Sequence, residues 1–311
     1  MTFNGGAMSG GPEKHVSKIL IVACYFAIYF IWGSTYLAIS LSIKTTPIFL
    51  ASAIRFVAAG GALLLIARFR GARKPSRPNL VIAFKSGMLA FFVSFGLLSW
   101  AEKILPSSTA ALIIALEPAW FLLFDWLFFL GPKPGRRIIF SQLVGMTGCA
   151  VLVFGEGSST YGGASAAGYA LSAAAVTLSG FAWVYGALLA SKSPESHKDS
   201  AMASGLQMMC GGLIFAVLSV CMGDLSRTTQ ISTESWLALL YLIVFGSVAA
   251  YSAYIALLRS QPTSKVSTHS FINPIVAVFL GWAVAGEAVT IYTAIAGFLI
   301  VLSVAGIIRQ N

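Results

Sequence analysis

The sequence predicts an all-α integral membrane protein whose ten transmembrane helices form two inverted five-helix repeats. Three observations support this prediction: an apolar composition, a series of ten apolar stretches, and an internal repeat. Apolar types make up 58% of the 311 residues and charged types only 10%, whereas soluble domains are about a quarter charged. This composition excludes an ordinary soluble enzyme, a disordered protein and a secreted disulfide scaffold.

The ten apolar stretches are each about 20 residues long, which is the length that a helix needs to cross a bilayer. Turn-forming residues such as Pro47, Pro106 and Gly286 separate neighbouring stretches. The predicted spans are residues 18–41, 48–67, 80–99, 107–130, 138–155, 166–190, 200–222, 236–258, 266–284 and 289–308. Nine or eleven spans remain the alternative.

The spans divide into a first five-helix repeat over residues 18–155 and a second over residues 166–311. Residues 156–165 are predicted to form an external linker, and residues 1–17 a disordered cytoplasmic tail. The first span is too long and too polar for a cleaved signal peptide. All four cysteines lie inside apolar stretches, which indicates small buried residues. The sequence therefore predicts no disulfide framework, no metal site and no cofactor.

The distribution of Lys and Arg predicts the orientation. The two tails and the even-numbered loops hold fifteen of these residues, and the odd-numbered loops hold three. Because short cytoplasmic loops are enriched in Lys and Arg, we expect a multi-pass protein of the inner (plasma) membrane with both termini in the cytoplasm. The net charge of +10 then anchors the topology, and no nucleic-acid partner is expected.

The internal repeat relates residues 106–118 to residues 262–274. Both segments have two prolines twelve residues apart, Ser or Thr after the first proline, and a polar residue (Glu117 or Asn273) before the second. The offset of 156 residues also aligns Trp126 with Trp282, and an offset of 151 pairs Trp32 with Trp183. Five spans are an odd number, so the second half enters the membrane from the opposite side. Secondary transporters often have this design, with their site between the halves; chance similarity of apolar segments is the alternative.

Several motifs of this sequence resemble those of the EamA-type members of the drug/metabolite transporter superfamily. They are Trp32-Gly33-Ser34, Arg55-Phe56, Glu117-Pro118-Ala119-Trp120-Phe121, Asn273-Pro274-Ile275-Val276, Gly286-Glu287 and Gly297-Phe298-Leu299-Ile300. The resemblance covers about residues 19 to 308. In the first half, residues 131–134 (Gly-Pro-Lys-Pro) stand where a second Gly-Glu is expected. Within the superfamily the chain looks most like bacterial amino-acid exporters of the YddG type, which implies amino-acid export.

Aromatic residues of the first span are candidates for a cavity wall. Tyr25, Tyr29, Trp32 and Tyr36 are spaced at i, i+4, i+7 and i+11, which places them within roughly 60° of one another on an ideal helix. A tyrosine hydroxyl in hydrocarbon needs a polar partner, so this face is expected to meet protein or water. The alternative is packing between helices.

Further candidates lie in the sixth, eighth and ninth spans. They are Trp183, then Tyr251 and Tyr254, and then His269 with Asn273, which are four residues apart just before Pro274. Each either contacts the substrate or makes an interhelical contact, and His269 is also a candidate for proton handling. Pro118 and Pro274 are the predicted hinges, because a proline inside a helix removes a backbone hydrogen bond.

Ionisable residues inside the spans are functional candidates because burying a charge in a bilayer is costly. Arg55 and Glu117 lie at depths that agree to within about 5 Å at 1.5 Å per residue. We expect them to form a buried ion pair between the second and fourth spans. The alternative is that Glu117 binds a substrate ammonium group or a proton. Lys85 and Asp125 lie near cytoplasmic helix ends, where they reach the interface.

The sequence therefore predicts a secondary transporter that exports small amphipathic metabolites, above all amino acids, including aromatic or apolar ones, by alternating access around a central cavity. It contains no Walker motif, and no catalytic residues are assigned. The expected partners are a small-molecule substrate and the lipid bilayer; no oligomeric state is indicated. The alternatives are an exchanger of phosphorylated metabolites or nucleotide sugars, an intramembrane enzyme, and a channel or receptor.

Overall fold

A computed structural model describes residues 18–131, 133–156, 165–191, 200–226, 231–261, 266 and 269–308. The predicted tail (1–17), most of the predicted linker and residues 262–265 of the repeat lie outside the described residues. The described chain forms ten helices: α1 (Lys18–Ser42), α2 (Ile48–Phe69), α3 (Arg77–Ala101), α4 (Ser107–Phe128), α5 (Arg136–Glu156), α6 (Ala166–Ser191), α7 (Ser200–Cys221), α8 (from Thr233 to Ser260), α9 (His269–Ala285) and α10 (Ile291–Ile308).

These helices confirm the predicted all-α membrane fold. Each predicted span coincides with one helix to within three residues at either end. Seven of the helices have segments of 22 residues or more that are apolar enough to cross a bilayer, and α9 and α10 contain shorter apolar segments. The described residues contain no β-strand.

The packing of the helices follows the repeat. α1 packs against α8 and α9, and α6 packs against the corresponding helices α3 and α4 of the other half. α2 lies along α7 and α5 along α10, so these contacts also join the two halves. At the α2–α7 contact, a Cβ on Gly60 would lie 2.8 Å from the Met209 backbone nitrogen, so only glycine permits this close approach.

The bundle has two ends, and each contains a carboxylate side chain, Glu287 at one end and Asp125 at the other. The Glu287 end holds the connections α1–α2, α3–α4 and α9–α10, and the Asp125 end holds α2–α3 and α4–α5. The Lys and Arg count predicts that the Glu287 end is external.

Four of the helices depart from regular α geometry. α4 is interrupted at residues 115–116, directly before Glu117 and Pro118, and Pro118 has no N–H for the helical hydrogen-bond ladder. α9 continues through Pro274. Short π-helical segments (π turns), which often mark functional sites, occur in three other helices: α1 (Ala27–Ile31), α3 (Met88–Val93) and α8 (Leu242–Ala249). The π turns of α3 and α8 occupy equivalent positions in the two repeats.

The turn after α4 and the turn after α9 share one backbone conformation. Leu130 and Gly286, which are related by the 156-residue offset, are left-handed with φ of 60° and 68°. The next residue in each case bonds back to the same helical position, with Gly131 N donating to Asp125 O (2.8 Å) and Glu287 N to Gly281 O (3.0 Å). The two halves therefore share this turn in detail.

The carboxylates at these turns exchange places. A Cβ on Gly131 would overlap the Asp125 carboxylate, and a Cβ on Gly281 would overlap the Glu287 carboxylate. Asp125 and Gly281 are equivalent positions, as are Gly131 and Glu287. The first half therefore keeps the carboxylate that its missing Gly-Glu would supply, but places it on the opposite residue of the turn.

A Leu130→Gly variant is expected to be more stable than the wild type. A left-handed non-glycine residue costs about 1–2 kcal/mol, and glycine gives back about 0.5–1 kcal/mol through its greater freedom in the unfolded chain. The Leu130 side chain is 99% exposed, so little packing is lost, and we expect a net gain of about 0.5–1 kcal/mol. Thermal unfolding in detergent measures it. Gly286→Leu is the matched control and should lose stability. A loss of stability in Leu130→Gly would contradict the left-handed conformation of Leu130.

Candidate functional site

A cavity of about 310 Å³ lies between the two halves of the bundle, within the range of small-molecule pockets. Its lining comes from eight helices, α1 to α4 and α6 to α9. The structure brings ten of the residues singled out in the sequence to this lining: Trp32, Tyr36, Arg55, Glu117, Pro118, Trp183, Tyr251, Tyr254, His269 and Asn273.

Three predicted residues, Tyr25, Tyr29 and Pro274, lie elsewhere. Tyr29 packs beside the buried Ile28, with its ring centroid 5.6 Å from that of Tyr25. Pro274 lines a separate groove formed largely by α9 and α10. The predicted stripe on α1 assumed a constant helical period, and the π turn within it changes the rotation between Tyr29 and Trp32.

One wall of the cavity is an aromatic cluster from α1, α8 and α9. The Trp32 ring lies 5.0 Å from the Tyr254 ring and 5.3 Å from the His269 ring. Trp32 Nε1 donates a hydrogen bond of 3.2 Å to the Gly246 carbonyl in the π turn of α8. This bond satisfies the indole N–H and holds the ring at the cavity.

A second wall repeats this arrangement with α6 and α3. The Trp183 ring lies 5.8 Å from Phe91 and 6.0 Å from Phe95. In each wall, a tryptophan from the first helix of one repeat packs on aromatic rings from the third helix of the other. The cavity therefore presents two related aromatic surfaces, which suit an apolar or aromatic group.

Arg55 brings a positive charge to the cavity. Its side chain is only 7% exposed, and Nε donates to Ser247 Oγ at 3.0 Å. The guanidinium carbon lies 4.9 Å from the centre of the Phe56 ring and 4.8 Å from that of Phe95, which are cation–π contacts. Ring faces and a hydroxyl thus surround the cation.

Glu117 brings a carboxyl group to the same cavity at the break in α4. The predicted Arg55–Glu117 ion pair is not formed in this conformation, because among the described residues only Lys44 and Glu234 lie within 4 Å as an ion pair, at 3.3 Å and exposed. Agreement in depth along two helices does not set the lateral distance between their side chains. Both side chains line one cavity without contacting each other as an ion pair.

Asn273 links α9 to α1. With its amide oriented by its surroundings, the nitrogen donates to the carbonyls of Ile28 and Tyr29, both at 3.0 Å. These carbonyls belong to the π turn of α1, where the regular hydrogen-bond ladder is displaced. Asn273 thus makes an interhelical hydrogen bond, which is one of the two alternatives predicted from the sequence. It also lines the cavity. Its amide group is 3.4 Å from His269 Nδ1.

Glu287, in the Gly286-Glu287 motif, makes a structural contact that its motif does not predict. Its Oε1 accepts from the backbone N (2.8 Å) and Oγ (2.7 Å) of Ser107. Its Oε2 accepts from the backbone N (3.1 Å) and Oγ (2.5 Å) of Ser108. A carboxylate at a helix N-terminus is stabilising, so Glu287 of the second half caps α4 of the first.

Glu102 was also missed, because it stands in a short loop beside Lys103 and resembles an ordinary solvated residue. It is only 5% exposed. No sequence signal distinguishes it, since the fold alone buries this loop. The described residues contain no group of three His, Cys, Asp or Glu side chains that could hold a metal ion.

Comparison with known proteins agrees with this architecture. The model of the EamA-like transporter family matches residues 19–154 and again residues 168–309. The chain is 30% identical over 266 residues to the uncharacterized inner membrane transporter YedA of Escherichia coli, covering 85% of this chain and 83% of YedA. It is 27% identical over 256 residues to the protein PecM of Dickeya dadantii, covering 81% and 80% of the two chains.

A solved crystal structure shares the fold, with a TM-score of 0.65 at 18% identity over 92% of this chain and 96% of the other. The two family matches fall on the two halves of the bundle, and together they cover most of the chain. The family and its relatives indicate a transporter rather than an enzyme. The chain therefore belongs to the EamA-like transporter family, as a multi-pass inner membrane transporter.

Proposed function

We propose that this transporter exports small amphipathic zwitterions, above all amino acids with apolar or aromatic side chains, by alternating access around the cavity. One observation supports the proposal most directly: an aromatic cavity holds one guanidinium and one carboxylate that are not paired with each other. An amino acid offers one carboxylate, one ammonium group and an apolar body, which matches this lining group by group.

Arg55 is the proposed site for the cargo carboxylate. A guanidinium has five N–H donors in a planar fork, and the hydrogen bond to Ser247 occupies only Nε. Glu117 is the proposed site for the ammonium group. The walls around Trp32 and Trp183 then receive the side chain.

The lining disfavours a phosphorylated or nucleotide-sugar cargo. Such a cargo carries two or more negative charges, and recognition of phosphate commonly uses several Lys or Arg side chains. Among the described lining residues Arg55 is the single Lys or Arg, so a second phosphate charge would have no cationic side chain in this lining.

The proposed transport cycle starts from a state closed at the Glu287 end. There a buried cluster joins α1, α3, α4, α6 and α8, including Ile39, Leu98, Ile113, Val176 and Leu242. Pro118, at the break in α4, and Pro274 are the proposed hinges. With both termini cytoplasmic, as proposed from the Lys and Arg count, the closed end is external.

Transport of labelled amino acids by the purified protein in proteoliposomes tests the proposal. Uptake and efflux of a panel from Gly to Trp are measured with and without a pH gradient. The proposal is supported if apolar and aromatic amino acids cross the proteoliposome membrane faster than they cross protein-free liposomes. A protein that transports none of the panel, while it retains its folded state, would overturn it.

Trp32→Ala and Trp183→Ala are expected to lower transport of Trp and Phe at least tenfold more than transport of Ala. Each variant removes a ring from one cavity wall, and burial of an aromatic group is worth about 1.5–3 kcal/mol. Rates for the three cargoes in proteoliposomes measure this ratio. Trp282→Ala, in the exposed groove of α9, is the control. An equal loss for all cargoes would mean that these tryptophans only pack.

A further inference from the structure

Glu102 is a buried carboxylate at the closed end of the transporter. It is the residue directly after the C-terminus of α3, and only 5% of it is exposed. Neither Oε1 nor Oε2 has a hydrogen-bond partner, and both atoms are fully shielded. An ionised carboxylate in this position would lack both water and donors, which is strongly unfavourable.

The titratable groups that interact with Glu102 come from α1, α2 and the connection between α9 and α10. Glu287, between α9 and α10, and Arg55 of α2 both interact with it electrostatically, and Tyr36 of α1 is affected by its charge. Lys103, its neighbour in the loop, is exposed. The helix C-terminus also disfavours a negative charge. Burial, followed by the Glu287 carboxylate, raises the pKa of the Glu102 carboxyl well above its ordinary range, and Arg55 opposes this shift.

We propose that Glu102 is a proton-binding site of the transport cycle, protonated when the Glu287 end is closed and ionised when that end opens to water. The placement of the side chain supports this role. Ala101 and Leu105, on either side of Glu102, belong to the cluster that closes this end, so opening the cluster hydrates the carboxylate. The inference rests on the proposed alternating-access cycle, with the Glu287 end closed, and not on the identity of the cargo.

The pH dependence follows from proton linkage. The closed state holds Glu102 at a higher pKa than the open state, so it binds more protons. The closed state is therefore favoured below the pKa that Glu102 has in the open state. This advantage is lost as the pH rises through the higher pKa of the closed state.

The reactivity of a cysteine placed in the closed cluster tests this directly. Cys24, Cys149, Cys210 and Cys221 are replaced by Ala, and Ala38→Cys, a position that is 7% exposed, becomes the reporter for a water-soluble maleimide. After correction for thiol ionisation, labelling of the purified protein in detergent should rise at least fivefold from pH 6 to pH 9. Glu102→Gln, which resembles the protonated side chain, should keep labelling low across this range.

Glu234→Gln is the matched control, because Glu234 is an exposed carboxylate at the same end and should leave the pH dependence unchanged. Glu102→Met, which is neutral and apolar, is the second variant, so the test does not depend on the folding of Glu102→Gln alone. A flat profile in the parent protein would overturn the proposal. So would an unchanged pH dependence in the Glu102 variants, or its loss in Glu234→Gln.

Discussion

A Glu117→Gln variant is expected to bind a cargo analogue without an ammonium group as well as it binds the parent amino acid. In the wild type, 3-(indol-3-yl)propionate should compete with labelled tryptophan about 10- to 100-fold less well than tryptophan itself. This range corresponds to a charged hydrogen bond of about 1.5–3 kcal/mol. Without the Glu117 carboxylate, the ammonium group contributes little, so the analogue and tryptophan should compete about equally.

The reciprocal change should remove the need for a carboxylate. In Arg55→Gln, tryptamine and tryptophan should compete about equally, whereas the wild type should prefer tryptophan 10- to 100-fold. Competition for labelled tryptophan in proteoliposomes measures both ratios. A general folding defect would weaken all compounds alike, so a crossed change in preference identifies the two roles. An equal loss for all three compounds in both variants would contradict the proposed sites.

A Glu287→Ala variant is expected to lose about 2–4 kcal/mol of stability. The substitution removes four hydrogen bonds to Ser107 and Ser108, and it leaves the N-terminus of α4 without its cap. A lost cap costs about 0.5–2 kcal/mol, and a lost charged hydrogen bond costs more. Thermal unfolding of the purified protein in detergent measures the change in the free energy of unfolding.

Glu234→Ala is the control for this prediction. It removes another carboxylate at the Glu287 end, but that carboxylate is half-exposed and pairs with the exposed Lys44. Such surface ion pairs contribute about 0–1 kcal/mol. Equal losses in the two variants would mean that Glu287 is not a structural cap.

The first half lacks the Gly-Glu motif, and comparison of motifs alone therefore did not locate the carboxylate at the turn after α4. By position, Gly131 stands where the second half has Glu287. The structure shows that the carboxylate of Asp125 lies over Gly131, as that of Glu287 lies over Gly281. A one-dimensional comparison aligns residues, whereas the fold conserves the place of the charge.

The sequence predicted only part of the candidate site, because the repeat aligns residues correctly but an ideal helical period and depth do not fix side-chain contacts. Trp32 and Trp183 were identified because the repeat aligns them, and both line the cavity. Tyr29 was predicted by an ideal helical period that the π turn of α1 breaks. The Arg55–Glu117 ion pair was predicted from depth alone, and the structure instead surrounds Arg55 with Phe56, Phe95 and Ser247.

The sequence by itself determined the ten spans, their inverted arrangement and the transporter family. Hydrophobic length and turn residues are local properties, because each helix satisfies its own backbone hydrogen bonds in the bilayer. Only the tertiary structure decided which polar groups meet. Glu102 became a buried carboxylate, Glu287 a helix cap and Arg55 an unpaired cation, because each of these states depends on helices that are distant in the chain.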